Sequence, residues 1–153
     1  STVVRQSLLR APLFPDPVAD QGEHTFRAAV TFEADVAEAV RQGYAINLPE
    51  RRVAAGAGAG SEVAPLVRVA DPQVVVEAVK LAEDGSGDVV VRLYESLGRH
   101  GEAALSAGFP AAGARRVDLL ERDSGEPLTS DGDRWSFPLR PFQLATVRIA
   151  RRT

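Results

Sequence analysis

The sequence predicts an all-β domain with one helix, arranged as an antiparallel β-sandwich, and three observations carry that expectation. Short apolar, β-branched runs recur from residue 66 to the C-terminus with turn residues between them. Two of these runs, residues 74–76 and 89–91, are unbroken valine, which suits strands covered on both faces. Only one stretch has helical periodicity, whereas a parallel sheet needs a crossover, usually helical, between successive strands.

Each element follows from its residues. TVVRQSLL at residues 2–9 is β-branched and apolar and reads as a strand, ended by Pro12, Pro15 and Pro17, which lack amide donors. HTFRAAVTF at residues 24–32 reads as a second strand, with Phe26, Ala28 and Val30 on one face. The helix is expected over residues 34–48. Val36, Ala39, Val40, Gly43 and Tyr44 recur at helical spacing, and Asp35 with Glu38 forms a capping-box pattern. That stripe predicts packing on a sheet, with Gly43 weakening the helix and favouring an end near it.

Residues 51–65 are rich in alanine and glycine and read as a surface loop, because the G-x-x-x-x-G-K-[ST] phosphate cradle is absent. LVRVA at 66–70 opens the strand-rich half. Residues 74–84 and 88–96 then form a hairpin about the Gly-Ser-Gly turn at 85–87. EAALSA (102–107), ARRVDLLER (114–122), DRWSFPL (133–139) and FQLATVRIA (142–150) continue the series. In the last, Ala145, Val147 and Ile149 alternate with Leu144, Thr146 and Arg148, which predicts one solvated face.

Composition sets the outer limits. The 153 residues fit one domain, 1–153, able to bury roughly 70% of its unfolded surface. A hydrophobic fraction of 44% excludes a disordered chain. The net charge of -3 argues against nucleic acid, whose binding relies on clustered Lys and Arg. No apolar run approaches the roughly 20 residues that span a bilayer, so no membrane partner is expected. The chain has no cysteine, which excludes disulfides and thiolate metal sites and leans toward a cytoplasmic location. Lys80 is the only lysine among abundant arginine and alanine, a bias that suggests a GC-rich bacterial coding sequence.

The most specific stretch is LLRAPLFPDPVADQGEH, residues 8–24. Asp16, Asp20, Glu23 and His24 offer metal ligands, but catalytic zinc favours three protein ligands with histidine prominent, and only His24 and His100 exist. A glycosidase carboxylate pair is possible in any acidic turn, and no nucleophile elbow accompanies it. Composition favours a structural turn, with Asp16 and Asp20 capping and Gly22 at positive φ. Elsewhere, Trp135 reads as core rather than a sugar platform, His100 as solvated, and Arg115 with Arg116 as a solvated strand edge.

The order SLLRAP, PDP, ADQGEH, then VVVEAVKLAEDG, VVVRLYES, VDLLER and FPLRPFQLATVRIA resembles the C-terminal β-rich region of glycoside hydrolase family 38 α-mannosidases. The likeness covers nearly the whole chain except the alanine- and glycine-rich loop. It implies a parent whose N-terminal α/β barrel carries zinc and an aspartate nucleophile and hydrolyses α-mannosides with retention, followed by helical domains. None of the barrel's motifs occurs in this chain, so it is assigned no catalytic and no metal-binding residue. Zinc is expected in the catalytic domain only. The resemblance further implies that the chain begins partway through the family's β-region. Asp20, Gln21 and His24 are then expected to face the barrel, as an interdomain anchor first and as a contact to sugar hydroxyls second. The rival readings are a free-standing carbohydrate-binding module or a structural interaction domain. Aromatic residues at 6% weigh against a stacking platform.

Overall fold

The structure, a computed structural model, describes residues 3–48, 50, 54 and 64–152; the expected glycine-rich loop lies almost wholly outside them. Among the described residues one helix, α1 (Val36–Asn47), precedes eight strands: β1 (Val67–Val69), β2 (Val74–Leu81), β3 (Val89–Glu95), β4 (Gly101–Ala107), β5 (Ala111–Val117), β6 (Thr129–Asp131), β7 (Arg134–Leu139) and β8 (Leu144–Arg151). They form two four-stranded sheets, β1-β4-β7-β6 and β2-β3-β8-β5, with every pairing antiparallel. The expected sandwich is what the chain forms.

Register explains the core. Val91 lies opposite Val147, Leu93 opposite Ala145, and Leu105 opposite Trp135, so apolar side chains share rows on the inner faces. Val91, Leu93, Trp135, Phe137, Leu139, Val147 and Ile149 are buried together between the sheets. The β2–β3 hairpin closes with Ala82 N–H donating to Asp88 O at 2.9 Å, and Gly85 and Gly87 take positive φ as the turn requires. A side chain at Gly108 would sit 2.3 Å from the carbonyl oxygen of Pro65, so glycine there lets the entry to β1 lie against the end of β4.

The two N-terminal strands expected at residues 2–9 and 24–32 do not form: among the described residues no strand precedes β1. Alternation makes a strand only where a neighbouring ladder accepts its amides, and none of these residues pairs with one. The expected strand over 114–122 also stops at Val117. The Asp118 carboxylate there accepts the amides of Leu120 (2.8 Å) and Arg122 (2.9 Å) and folds the chain into a turn.

The helix falls within the expected span 34–48 and is not ended at Gly43. Asp35 Oδ1 accepts Glu38 N–H at 2.7 Å, but the reciprocal half of the box is missing because the Glu38 carboxylate binds Arg41 and Gln42 instead. The helix passes Gly43 and closes where Leu48 N–H donates to Tyr44 O at 2.8 Å. Its expected packing stripe is only half realised, for no residue of α1 is fully buried.

The solvated face expected on β8 is covered instead. Thr146 and Arg148 are buried, while Leu144 at the start of the strand stays exposed as expected. Arg148 Nε donates to Asp88 at 2.8 Å, and its Nη2 donates to Asp84 at 2.6 Å and to Ser86 at 2.8 Å, so the hairpin turn folds over that face. On β3 the double burial is met, with Val90 and Val91 both inaccessible.

Candidate functional site

The acid-rich segment forms a turn that holds itself. Asp16 Oδ1 accepts Val18 N–H at 3.0 Å, Gln21 N–H donates to Val18 O at 3.2 Å, and the Gln21 side-chain amide donates to Pro17 O at 3.1 Å. Asp20 (φ 57°) and Gly22 (φ 137°) reverse the chain. His24 Nε2 then lies 2.9 Å from Asp20 O, and its ring stacks on Phe26 with centroids 6.1 Å apart. The structure thus brings Asp20, Gln21 and His24 into one turn, all three solvent-exposed.

One detail departs from the expected turn chemistry. Asp16 caps with its side chain, but Asp20 contributes its backbone carbonyl, and its carboxylate takes no partner among the described residues. Among those residues, no hydrogen bond or ion pair joins the turn to the sandwich, and no group of three or more His, Asp or Glu is placed to hold a metal.

Around the turn the chain is apolar and uncovered. Phe14, Val30 and Phe32 are 86%, 83% and 87% exposed, and Val3, Val4, Leu13 and Val18 are exposed as well. Helix α1 stands between this segment and the sandwich. Ala39, Gly43 and Ile46 border a groove of about 360 Å³ shared with Gln6, Arg27 and Thr31. On its other side Tyr44 Oη donates to Glu77 at 2.9 Å and lies 3.3 Å from Tyr94 Oη. The shared hydroxyl contact and burial raise the Tyr44 phenol well above its usual pKa, so it stays a neutral donor.

Sequence reasoning missed three features on the sandwich itself. Arg116 is no solvated edge: it is 6% exposed, points between the sheets with its guanidinium 4.0 Å above the Phe137 ring, and pairs with Glu126. Arg115, by contrast, is exposed as expected. Glu95 is wholly buried and accepts the amides of Leu97 (2.8 Å), Gly98 (2.8 Å) and Phe142 (3.0 Å). The Tyr44–Glu77–Tyr94 contact spans 50 residues, a separation that local pattern does not register. Trp135, 2% exposed, is core as expected, and His100 is exposed.

Two four-stranded antiparallel sheets packed face to face, preceded by one helix among the described residues, define the class of β-sandwich domains. Residues 73–147 match the family model described as the glycosyl hydrolases family 38 C-terminal beta sandwich domain. The chain belongs to that family as such a domain. It is 34% identical to human alpha-mannosidase 2C1 over 156 residues, covering 97% of this chain and 15% of that protein. It is 27% identical to an alpha-mannosidase of Saccharomyces cerevisiae over 176 residues (96% of this chain, 16% of that protein) and 29% identical to alpha-mannosidase G of Dictyostelium discoideum over 154 residues (94% and 14%). The chain therefore spans about 15% of the length of the relatives it matches. These relatives are eukaryotic, and the bacterial origin suggested by composition draws no support from them.

Proposed function

We propose that this chain is the non-catalytic C-terminal β-sandwich of a zinc-dependent, retaining α-mannosidase that hydrolyses α-mannosides, and that it braces the catalytic barrel and helical domains of the same polypeptide. The observation that carries the reading is the uncovered apolar flank of residues 3–32, headed by Phe14, Val30 and Phe32. Large apolar side chains exposed in such number on one short segment suit an interface with another part of the protein. The α-mannosidases that the chain resembles supply the substrate class, and the small share of their length that it spans leaves the reaction to the rest of such a protein. Zinc is assigned to the barrel, and no step of the chemistry is routed through the described residues, which offer no ligand set. The cysteine-free composition suits a reducing compartment, so the proposal includes a cytoplasmic location.

In this reading Asp20, Gln21 and His24 anchor the sandwich to the barrel, their turn held rigid by its internal hydrogen bonds. A second role, contact with sugar hydroxyls, is favoured by the Asp20 carboxylate, an acceptor left without a partner among the described residues. A free-standing sugar-stacking module is disfavoured because Trp135 lies inside the core.

The test compares two contexts. In an intact α-mannosidase carrying this chain, F14S with F32S lowers both melting temperature and turnover of an aryl α-mannoside, while the 153-residue chain alone melts at the same temperature with or without the two changes. Full stability and turnover in the intact enzyme would overturn the bracing role. His24→Ala there separates the two roles of the turn: an anchor lowers stability, whereas a sugar contact raises KM at unchanged stability.

A further inference from the structure

We propose that the loop end of the sandwich carries a binding site for a small organic carboxylate, in the cleft built by Arg116, Arg140, Gln143, His100 and Glu126. The cleft holds about 400 Å³, within the range of roughly 300–1,000 Å³ typical of small-ligand sites. It is lined by residues of β5 and β7 and of the connections after β3, β5 and β7, and shares no residue with the acid-rich turn.

The site is assembled in advance. Buried Glu95 takes amides from Leu97 and Gly98 in the β3–β4 loop and from Phe142 in the β7–β8 loop, so one carboxylate locks two of the three walls together. Gln143 Oε1 accepts Arg140 N–H at 2.9 Å and Arg140 Nε–H at 3.4 Å, which sets the second loop's own geometry. Arg116 is fixed from below by the Phe137 ring and from the side by Glu126.

The free groups decide the ligand. With Gln143 Oε1 already used, its amide N–H₂ is left to donate, as are the terminal nitrogens of Arg140 and the ring of His100, none of which has a partner among the described residues. Two arginines against the single carboxylate of Glu126 leave the cleft positive by one charge. A donor-rich, positive cleft selects an acceptor that is an anion, and a guanidinium fork suits a planar carboxylate in particular. Pro138 adds carbon surface on one side, which favours an acid with a carbon skeleton over a bare inorganic ion. The carboxylate belongs either to a simple aliphatic acid or to a uronic sugar. This inference stands apart from the bracing role and survives its failure.

The experiment is a titration of the full ¹⁵N-labelled chain with sodium glucuronate, lactate, glucose and phosphate, following the Gln143 side-chain amide and the Arg140 Nε–H. Saturable shifts with glucuronate, weakened about tenfold or more in R140Q, are expected from loss of a charge-assisted contact. Arg140 is exposed, so unchanged Trp135 emission confirms that R140Q is folded; Q143A gives the same weakening by a second route. Equal binding of lactate assigns the site to the carboxylate alone, and preference for glucuronate assigns it to the acid sugar. Glucose or phosphate binding as tightly as glucuronate, no saturable shift, or full affinity in R140Q would each overturn the proposal.

Discussion

Glu95 shows how a single side chain can fix a loop system. Burial opposes its ionisation, but the amides of Phe142, Leu97, Arg99 and Gly98 outweigh that and hold the carboxyl below the usual carboxylate range. Because the folded pKa is depressed, the stabilisation is present above the unfolded value, near 4.3, and is lost as pH falls through the lower folded value. Glu95→Gln replaces one acceptor oxygen by a donor facing donors. It is expected to cost about 2–3 kcal/mol at neutral pH, read by urea unfolding, and to flatten the acid limb of the stability profile. Trp135 makes a second prediction at this scale. Buried beside the core cluster, it should emit at short wavelength, resist acrylamide quenching and give no response to mannosides.

Elements differ in how firmly they are held. Helix α1 buries no residue fully and is tied to the sandwich through Tyr44, so its amides are expected to exchange with deuterium orders of magnitude faster than those of β3 and β8. The hairpin over β8 is the opposite case. Asp84 is lowered to about 2 by the Ser86 backbone amide first, then the Ser86 hydroxyl and Arg148. Its contribution therefore fades only as pH drops from about 4 toward 2. Arg148→Ala strips the partner from two carboxylates at once and is expected to lower the melting temperature by roughly 4–8 °C, the shift that about 2 kcal/mol produces in a domain of this size. The strands β1 to β5, β7 and β8 were legible because each carries its own period and punctuation, whereas the three-residue β6, polar throughout, was not expected. The segments at 2–9 and 24–32 carry the same period without a ladder to join, and pattern cannot tell a paired strand from an unpaired one.

For the molecule as a whole, the core cluster lies entirely between Val67 and Ile149, so the chain from residue 64 onward is expected to fold without the N-terminal segment. Removing residues 1–48 should change sandwich stability by no more than about 1 kcal/mol, the order of the Tyr44 hydrogen bond, and should abolish binding of a hydrophobic dye to the apolar flank. The 153-residue chain by itself should show no mannosidase activity with or without added zinc, and turnover by it would refute the assignment of catalysis to another domain.

The sequence by itself determined the fold class, the β2–β3 hairpin, the helix start at Asp35 and the burial of Trp135, because each rests on residues near in the chain. It also brought Asp20, Gln21 and His24 together, since a turn closes over a few residues. Only the tertiary structure decided that Arg116 points inward, that the second face of β8 is covered, and that Glu95 joins two loops. Charge in a strand reads as solvent exposure until a partner distant in sequence neutralises it, and burial of that kind is a property of the assembled sheets.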